Sequence, residues 1–242
     1  MAGCGATGRW PVPPGFQTRT FFRRHGAFGQ VRCSPMPVDV QTAESGLGAS
    51  PLFERAIQRF DEENGRDPNT EVVDGVSQPR ELIYARRLYG WVLRLHPQAG
   101  ESLRLAARCQ HLCRWMIPRS NYPMNRAGYL RWRTELKKFH AARAGEILRE
   151  VGYADDVVAR VQESNLKKNF PADPDCRMLE DALCLVFLEH QFAALAARTD
   201  DDKIVNALRK SWSKMTPHAQ SEALKLSFAP REKALIERAL KT

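Results

Sequence analysis

The stretch that most restricts how this 242-residue chain can fold runs from Asp173 to about Ala197. Asp173 before Pro174 pairs a side-chain acceptor for free N–H groups with a residue whose fixed φ suits a first helical turn, so a helix is predicted to start there. Its middle, Ala182 to Leu188, carries no charge and is apolar around the whole circumference. Such a helix has no face to offer water and must be enclosed by other elements. The apolar run is bounded by Asp181 and Glu189 and is far shorter than the roughly 20 residues of a membrane span, so a protein core, with no membrane partner, is expected around it.

The rest of the sequence supplies the enclosing elements. From Pro51 onward apolar residues recur at intervals of three and four, and no stretch alternates every second residue as a half-buried strand does. Helices are predicted over about 51–63, 79–95, 101–116, 125–150, 155–168 and 173–197, with further ones opened by Thr199 and Asp202, by Thr216-Pro217 and by Pro230. A loop holding Gly65, Pro68 and Gly75 separates the first two, and Pro118 and Pro123 bracket another. The expected fold is all-α, a single-domain helical bundle of about eight or nine helices over residues 49–242; about 190 residues suffice for one sizeable core and are too few for two. Cys109, Cys113, Cys176 and Cys184 sit in predicted helices or at their starts with no CxxC spacing and read as buried thiols.

Residues 1–48 are of another kind. No acidic residue precedes Asp39, whereas Arg9, Arg19, Arg23, Arg24 and Arg32 add five positive charges among Pro11, Pro13, Pro14 and many glycines. An Arg-rich, acid-free segment without a continuous apolar core is expected to be an organelle transit peptide followed by a flexible linker, the alternative being a basic tail that stays attached. Val31-Arg32-Cys33 is of the kind found near plastid cleavage sites and Phe21-Phe22-Arg23-Arg24 also suits a mitochondrion; plastid is the slightly favoured organellar expectation.

Without the acid-free residues 1–38 the net charge of +9 falls to +4, and it is unevenly placed. Residues 104–149 hold eleven Lys or Arg against Glu135 and Glu146, while residues 39–103 carry seven basic and eleven acidic side chains and residues 150–242 carry fourteen and fifteen. One basic zone of this kind suits an anionic ligand such as a phosphate ester. Within it, Arg104, Arg108, His111 and Trp115 would share a face if the helix runs through them, and Arg133, Lys137 and His140 align on the next long helix. Arg108, Arg114, Arg119, Tyr122, Arg126 and Arg133 are the candidate phosphate-binding residues, able to make charge-assisted bonds; the competing reading is a solvated face or ion pairs with the acidic flanks. Glu180 and Asp181 stand where the central helix turns apolar, and a carboxylate buried there must meet a cation, a hydrogen-bond donor or a metal.

Pro79-Arg80-Glu81-Leu82-Ile83-Tyr84-Ala85, the run from Ala106 to Trp115 containing Arg108-Cys109-Gln110-His111, Pro118-Arg119 with Tyr122-Pro123, Gly128 to Arg133, and Leu179-Glu180-Asp181-Ala182 together resemble the DUF4202 family, over about Leu52 to Leu240. The order of a helix with Tyr84, a helix ending in Gln110-His111 and a late Asp181-Ala182 is also similar in layout to the HD phosphohydrolases, and the bundle is accordingly expected to be HD-like. That similarity implies a divalent metal activating water against a phosphate ester. Tyr84 falls where the superfamily has its first histidine, and Gln110-His111 where it has a His-Asp pair. His111, His140, Glu180 and Asp181 form an alternative set of donors, with His111, His140 and Asp181 as metal ligands. The expected function is therefore a metal-dependent phosphohydrolase acting on a nucleotide or another phosphorylated small molecule. The alternatives are an inactive nucleotide- or RNA-binding module and a helical scaffold.

Overall fold

The computed structural model describes residues 50–241, and the expected transit peptide lies outside the described residues. Helix α1 (Pro51–Asn64) begins where Ser50 Oγ accepts a hydrogen bond from the Phe53 N–H at 3.1 Å, with Pro51 in the first turn, and it buries Phe53, Ala56 and Phe60. After it comes a short antiparallel hairpin, β1 (Thr70–Val73) and β2 (Val76–Pro79), with Thr70 opposite Pro79 and Val73 opposite Val76. The hairpin replaces the loop expected here. Asp74 and Gly75 have φ of 51° and 80°, the left-handed pair of a two-residue turn whose twist matches right-twisted strands. The strand signal is thus the Asp-Gly dipeptide; the strands are too short and too exposed to show it by alternation.

The remaining elements are α2 (Arg80–Leu95), α3 (Glu101–Cys109), 3₁₀ turns at Arg114–Met116 and Arg119–Asn121, α4 (Arg126–Val151), α5 (Asp155–Leu166), α6 (Pro174–His190), α7 (Phe192–Ala196), α8 (Asp201–Trp212), α9 (Pro217–Leu224) and α10 (Pro230–Leu240). The chain is thus mostly helical, and the hairpin is the only sheet among the described residues. The Asp173, Asn125 and Thr216 caps form as their sequence positions suggest, each side chain accepting an N–H from the first turn.

Three boundaries differ from expectation. Helix α3 stops at Cys109, because Cys113 adopts the left-handed conformation (φ 54°) and donates its N–H to the buried Asn64 Oδ1 at 3.1 Å. Arg104, Arg108, His111 and Trp115 therefore do not lie on one helical face. The segment 173–197 breaks at Gln191 into α6 and α7, which adds one helix to the expected number. Asp200, not Thr199, caps α8, its Oδ1 accepting from the Asp202 and Lys203 N–H groups.

Helix α6 occupies the centre, packed on α2, α3, α5 and α9, and Leu179, Ala182, Leu185 and Val186 are all but excluded from solvent. Each leucine enclosed in this way contributes about 1.5–3 kcal/mol. One contiguous apolar core runs from Phe53 on α1 to Ala239 on α10. Among the described residues no helix is long and apolar enough to cross a membrane, and Cys109, Cys113, Cys176 and Cys184 are free and buried.

Candidate functional site

A cavity of about 480 Å³ lies between α4 and α6, closed on its other sides by the start of α2 and the turn that follows α3. Helix α4 gives it one stripe, Tyr129, Trp132, Arg133, Leu136, Lys137 and His140, whose three-and-one spacing keeps all six on a single face. The start of α4 is fixed by the loop before it. Asn125 Oδ1 accepts the Gly128 N–H at 2.9 Å, and Gly128 runs so close to the loop that a Cβ there would stand 2.2 Å from the Pro123 carbonyl oxygen. Arg119 donates to the carbonyls of Tyr122, Pro123 and Asn125 at 2.8, 2.7 and 3.3 Å, and Trp132 Nε1 donates to the Ile117 carbonyl at 2.9 Å. So held, the loop sets the Arg114 guanidinium 5.0 Å from the centre of the Trp132 ring.

The opposite wall is the Glu180, Cys184 and Phe187 face of α6. Lys167, in the left-handed conformation just past α5, is ion-paired with Glu180, and Lys214 lies 3.5 Å from the same carboxylate. Burial raises the Glu180 pKa, but the two ammonium groups outweigh it and lower the value to about 2. Arg80, Gln191 and Arg198 are exposed at the mouth, whereas Gln110 and His140, 5% and 3% exposed, form the floor. With Arg114, Arg133 and Lys137 the lining comes to seven cationic side chains against the single carboxylate of Glu180. Burial, joined by the charges of Lys167 and Arg133, lowers the Lys137 pKa to about 8.

The two histidines adjoin each other in this cavity. The His111 ring stacks on Tyr84 with centroids 4.2 Å apart and lies 5.8 Å from the His140 ring. Arg114 Nη1 is 3.3 Å from His111 Nε2; a guanidinium only donates, so Nε2 accepts and the proton sits on Nδ1, which is 3.6 Å from Glu81 Oε2. His140 Nδ1 lies 2.7 Å from the Leu112 carbonyl oxygen, which only accepts, so this nitrogen carries the hydrogen. Burial, with Arg114 beside it, holds His111 well below the usual imidazole range; burial, with His111 beside it, lowers His140 to about 3.

Of the residues singled out for catalysis or metal binding, His111, His140 and Glu180 line the cavity and Asp181 does not. Asp181 is fully buried, its Oδ1 accepting the Thr216 N–H at 2.9 Å and its Oδ2 the Thr216 hydroxyl at 2.6 Å. Adjacent residues of a helix point about 100° apart, so Glu180 and Asp181 cannot both face one site. Among the described residues no group of three or more His, Cys, Asp or Glu side chains is placed to hold a metal ion, and the expected set of His111, His140 and Asp181 is not assembled. The HD-type layout does not fit either: Tyr84 is a half-buried phenol whose pKa burial drives upward, Gln110 is an amide, and Asp181 is occupied in anchoring α9.

The phosphate-binding candidates divide the same way. Arg114 and Arg133 line the cavity. Arg108 instead pairs in the interior with Asp61 through Nε and Nη2 at 2.7 and 2.6 Å. Arg119 directs its donors to the loop, the Tyr122 hydroxyl donates to Glu135, and Arg126 is exposed at the start of α4, outside the cavity lining. Lys137 was legible from its alignment with Arg133 and His140. Arg80, Lys167, Arg198 and Lys214 were not, since each lies in a flank whose acids match or outnumber its bases.

No curated protein and no solved structure matches this chain. A family model described as Domain of unknown function (DUF4202) matches residues 54–236, a span that contains every residue lining the cavity, and the chain belongs to the DUF4202 family.

Proposed function

We propose that the protein is a binding module for a phosphorylated small molecule of the nucleotide class, held in the cavity between α4 and α6. The observation that carries this reading is the excess of cations: seven Lys and Arg side chains converge on one cavity that has a single carboxylate. Like charges gathered in a partly buried space repel one another, and a multiply charged anion relieves that repulsion. A volume of about 480 Å³ is that of a small-molecule pocket. The cations converge in a cavity and do not form a surface stripe, which favours a nucleotide or small phosphate ester over an extended RNA. Tyr129, half-buried on the same wall, offers ring surface to a base. The metal-dependent phosphohydrolase implied by the HD resemblance is not carried forward, because its donor set is not assembled.

Isothermal titration with pyrophosphate and with ADP tests the reading. Both ligands are expected to bind with an affinity that falls steeply with salt and does not change when a chelator is added. Arg133→Ala is expected to weaken each about tenfold, the loss of one charge-assisted contact, in a protein that still unfolds cooperatively. Binding indifferent to salt and to Arg133→Ala would refute it.

A further inference from the structure

The floor of the cavity has the opposite chemistry to its walls. His140 is 3% exposed and lines the cavity. Its Nδ1 hydrogen is committed to the Leu112 carbonyl at 2.7 Å, and its other ring nitrogen, Nε2, is buried with no hydrogen-bond partner. Gln110, 5% exposed and on the same floor, likewise has a buried Oε1 with no partner. The site keeps the imidazole neutral: burial, with His111 at 5.8 Å and Arg114 beside it, outweighs the Leu112 carbonyl and Glu81, which pull the other way. An imidazole with its hydrogen on Nδ1 presents a bare lone pair at Nε2 and can only accept there. Buried polar atoms are nearly always paired in native proteins, so two unpaired acceptors on side chains that line one cavity point to a donor that comes with the ligand.

Resting on the nucleotide-class reading above, we infer that the ligand is a phosphorylated molecule that also carries a hydroxyl or amine donor, delivered to His140 Nε2 while its phosphates engage the Lys and Arg walls. The anion sets the affinity and the donor sets the identity. A bare polyanion such as pyrophosphate satisfies only the walls. A site that leaves a buried acceptor open when the donor is missing discriminates against the analogue that lacks it. The two sources of such a donor in a nucleotide are the ribose hydroxyls and the exocyclic amine of the base.

The experiment uses the full chain and four probes: pyrophosphate, ADP, 2′,3′-dideoxy-ADP, and the purine riboside diphosphate that lacks the exocyclic amine. The wild-type protein is expected to bind one of the two analogues about tenfold more weakly than ADP, and which one it is tells hydroxyl from amine. His140→Asn keeps an amide N–H for the Leu112 carbonyl and removes the acceptor at Nε2; in this variant the ratio of ADP to analogue affinity is expected to fall to about one. As a readout needing no variant, the ¹⁵N resonance of His140 Nε2 should move on addition of ADP and stay in place with pyrophosphate. Equal binding of ADP and both analogues, or an Nε2 resonance that ignores ADP, overturns this inference alone and leaves the phosphate-binding reading standing. Failure of pyrophosphate to bind at low salt overturns both.

Discussion

Replacing Asp181 with alanine separates a structural carboxylate from a chemical one. Asp181 accepts two hydrogen bonds from a single residue, Thr216, at 2.9 and 2.6 Å, and Thr216 in turn caps α9 by accepting the Ala219 N–H at 3.2 Å. A hydrogen bond to a charged acceptor contributes about 1.5–3 kcal/mol, so the pair contributes roughly 3–6 kcal/mol before the cost of burying the carboxylate is subtracted. That cost is visible in burial raising the Asp181 pKa against the pull of both Thr216 bonds. The net expectation is a loss of about 3 kcal/mol for Asp181→Ala, and about half that for Asp181→Asn, which keeps one acceptor. For a domain of this size 3 kcal/mol lowers the thermal midpoint by roughly 6–12 °C. Urea and thermal unfolding measure the loss. A double-mutant cycle with Thr216→Val should return a coupling of about 1–3 kcal/mol, and pyrophosphate titration at a temperature where the variant is folded should give wild-type affinity. A stable Asp181→Ala protein that has lost pyrophosphate binding would refute the assignment and return Asp181 to the cavity.

Three further outcomes follow from the same geometry. Arg108→Ala removes both charge-assisted bonds to Asp61 and leaves it, among the described residues, only Arg86 as a partner; a cost of about 1.5–3 kcal/mol in urea unfolding is expected, with pyrophosphate affinity within twofold, since Arg108 does not line the cavity. Gly128→Ala forces a Cβ to 2.2 Å from the Pro123 oxygen; a loss of about 1–3 kcal/mol in thermal unfolding, together with weaker pyrophosphate binding as the Arg114 and Trp132 wall loosens, is expected. Lys137, lowered to about 8, is close to half protonated at pH 8 in the free protein. A bound anion stabilises its charged form and raises that pKa, so this amine takes up about half a proton on binding at pH 8 and none at pH 6, where it is already charged. Titration in buffers of different ionisation enthalpy reads this uptake, which should disappear in Lys137→Met; an uptake identical in that variant would exclude Lys137 as its source.

Particular residues show why some of the molecule was legible and some was not. Caps are local, so Asp173-Pro174 and Thr216-Pro217 announced their helices in the sequence. The Asp74-Gly75 turn was equally local, but its short exposed strands carry no alternation. The early end of α3 depends on Asn64, which is 49 residues away from the Cys113 N–H that it accepts. No pattern within residues 101–116 encodes that contact.

The sequence by itself determined a mostly helical chain around a helix with an apolar middle, one basic zone, and family membership through its motifs, because helical periodicity, capping and net charge are properties of neighbouring residues. Only the tertiary structure decided which polar groups work together. It sent Asp181 to Thr216 and Arg108 to Asp61, and it brought Lys167, Arg198 and Lys214 from charge-balanced flanks to the cavity. An ionisable side chain near a core is satisfied by whichever partner the packing of helices places within about 3 Å, and that partner is set by distance in space, on which distance along the chain has no bearing.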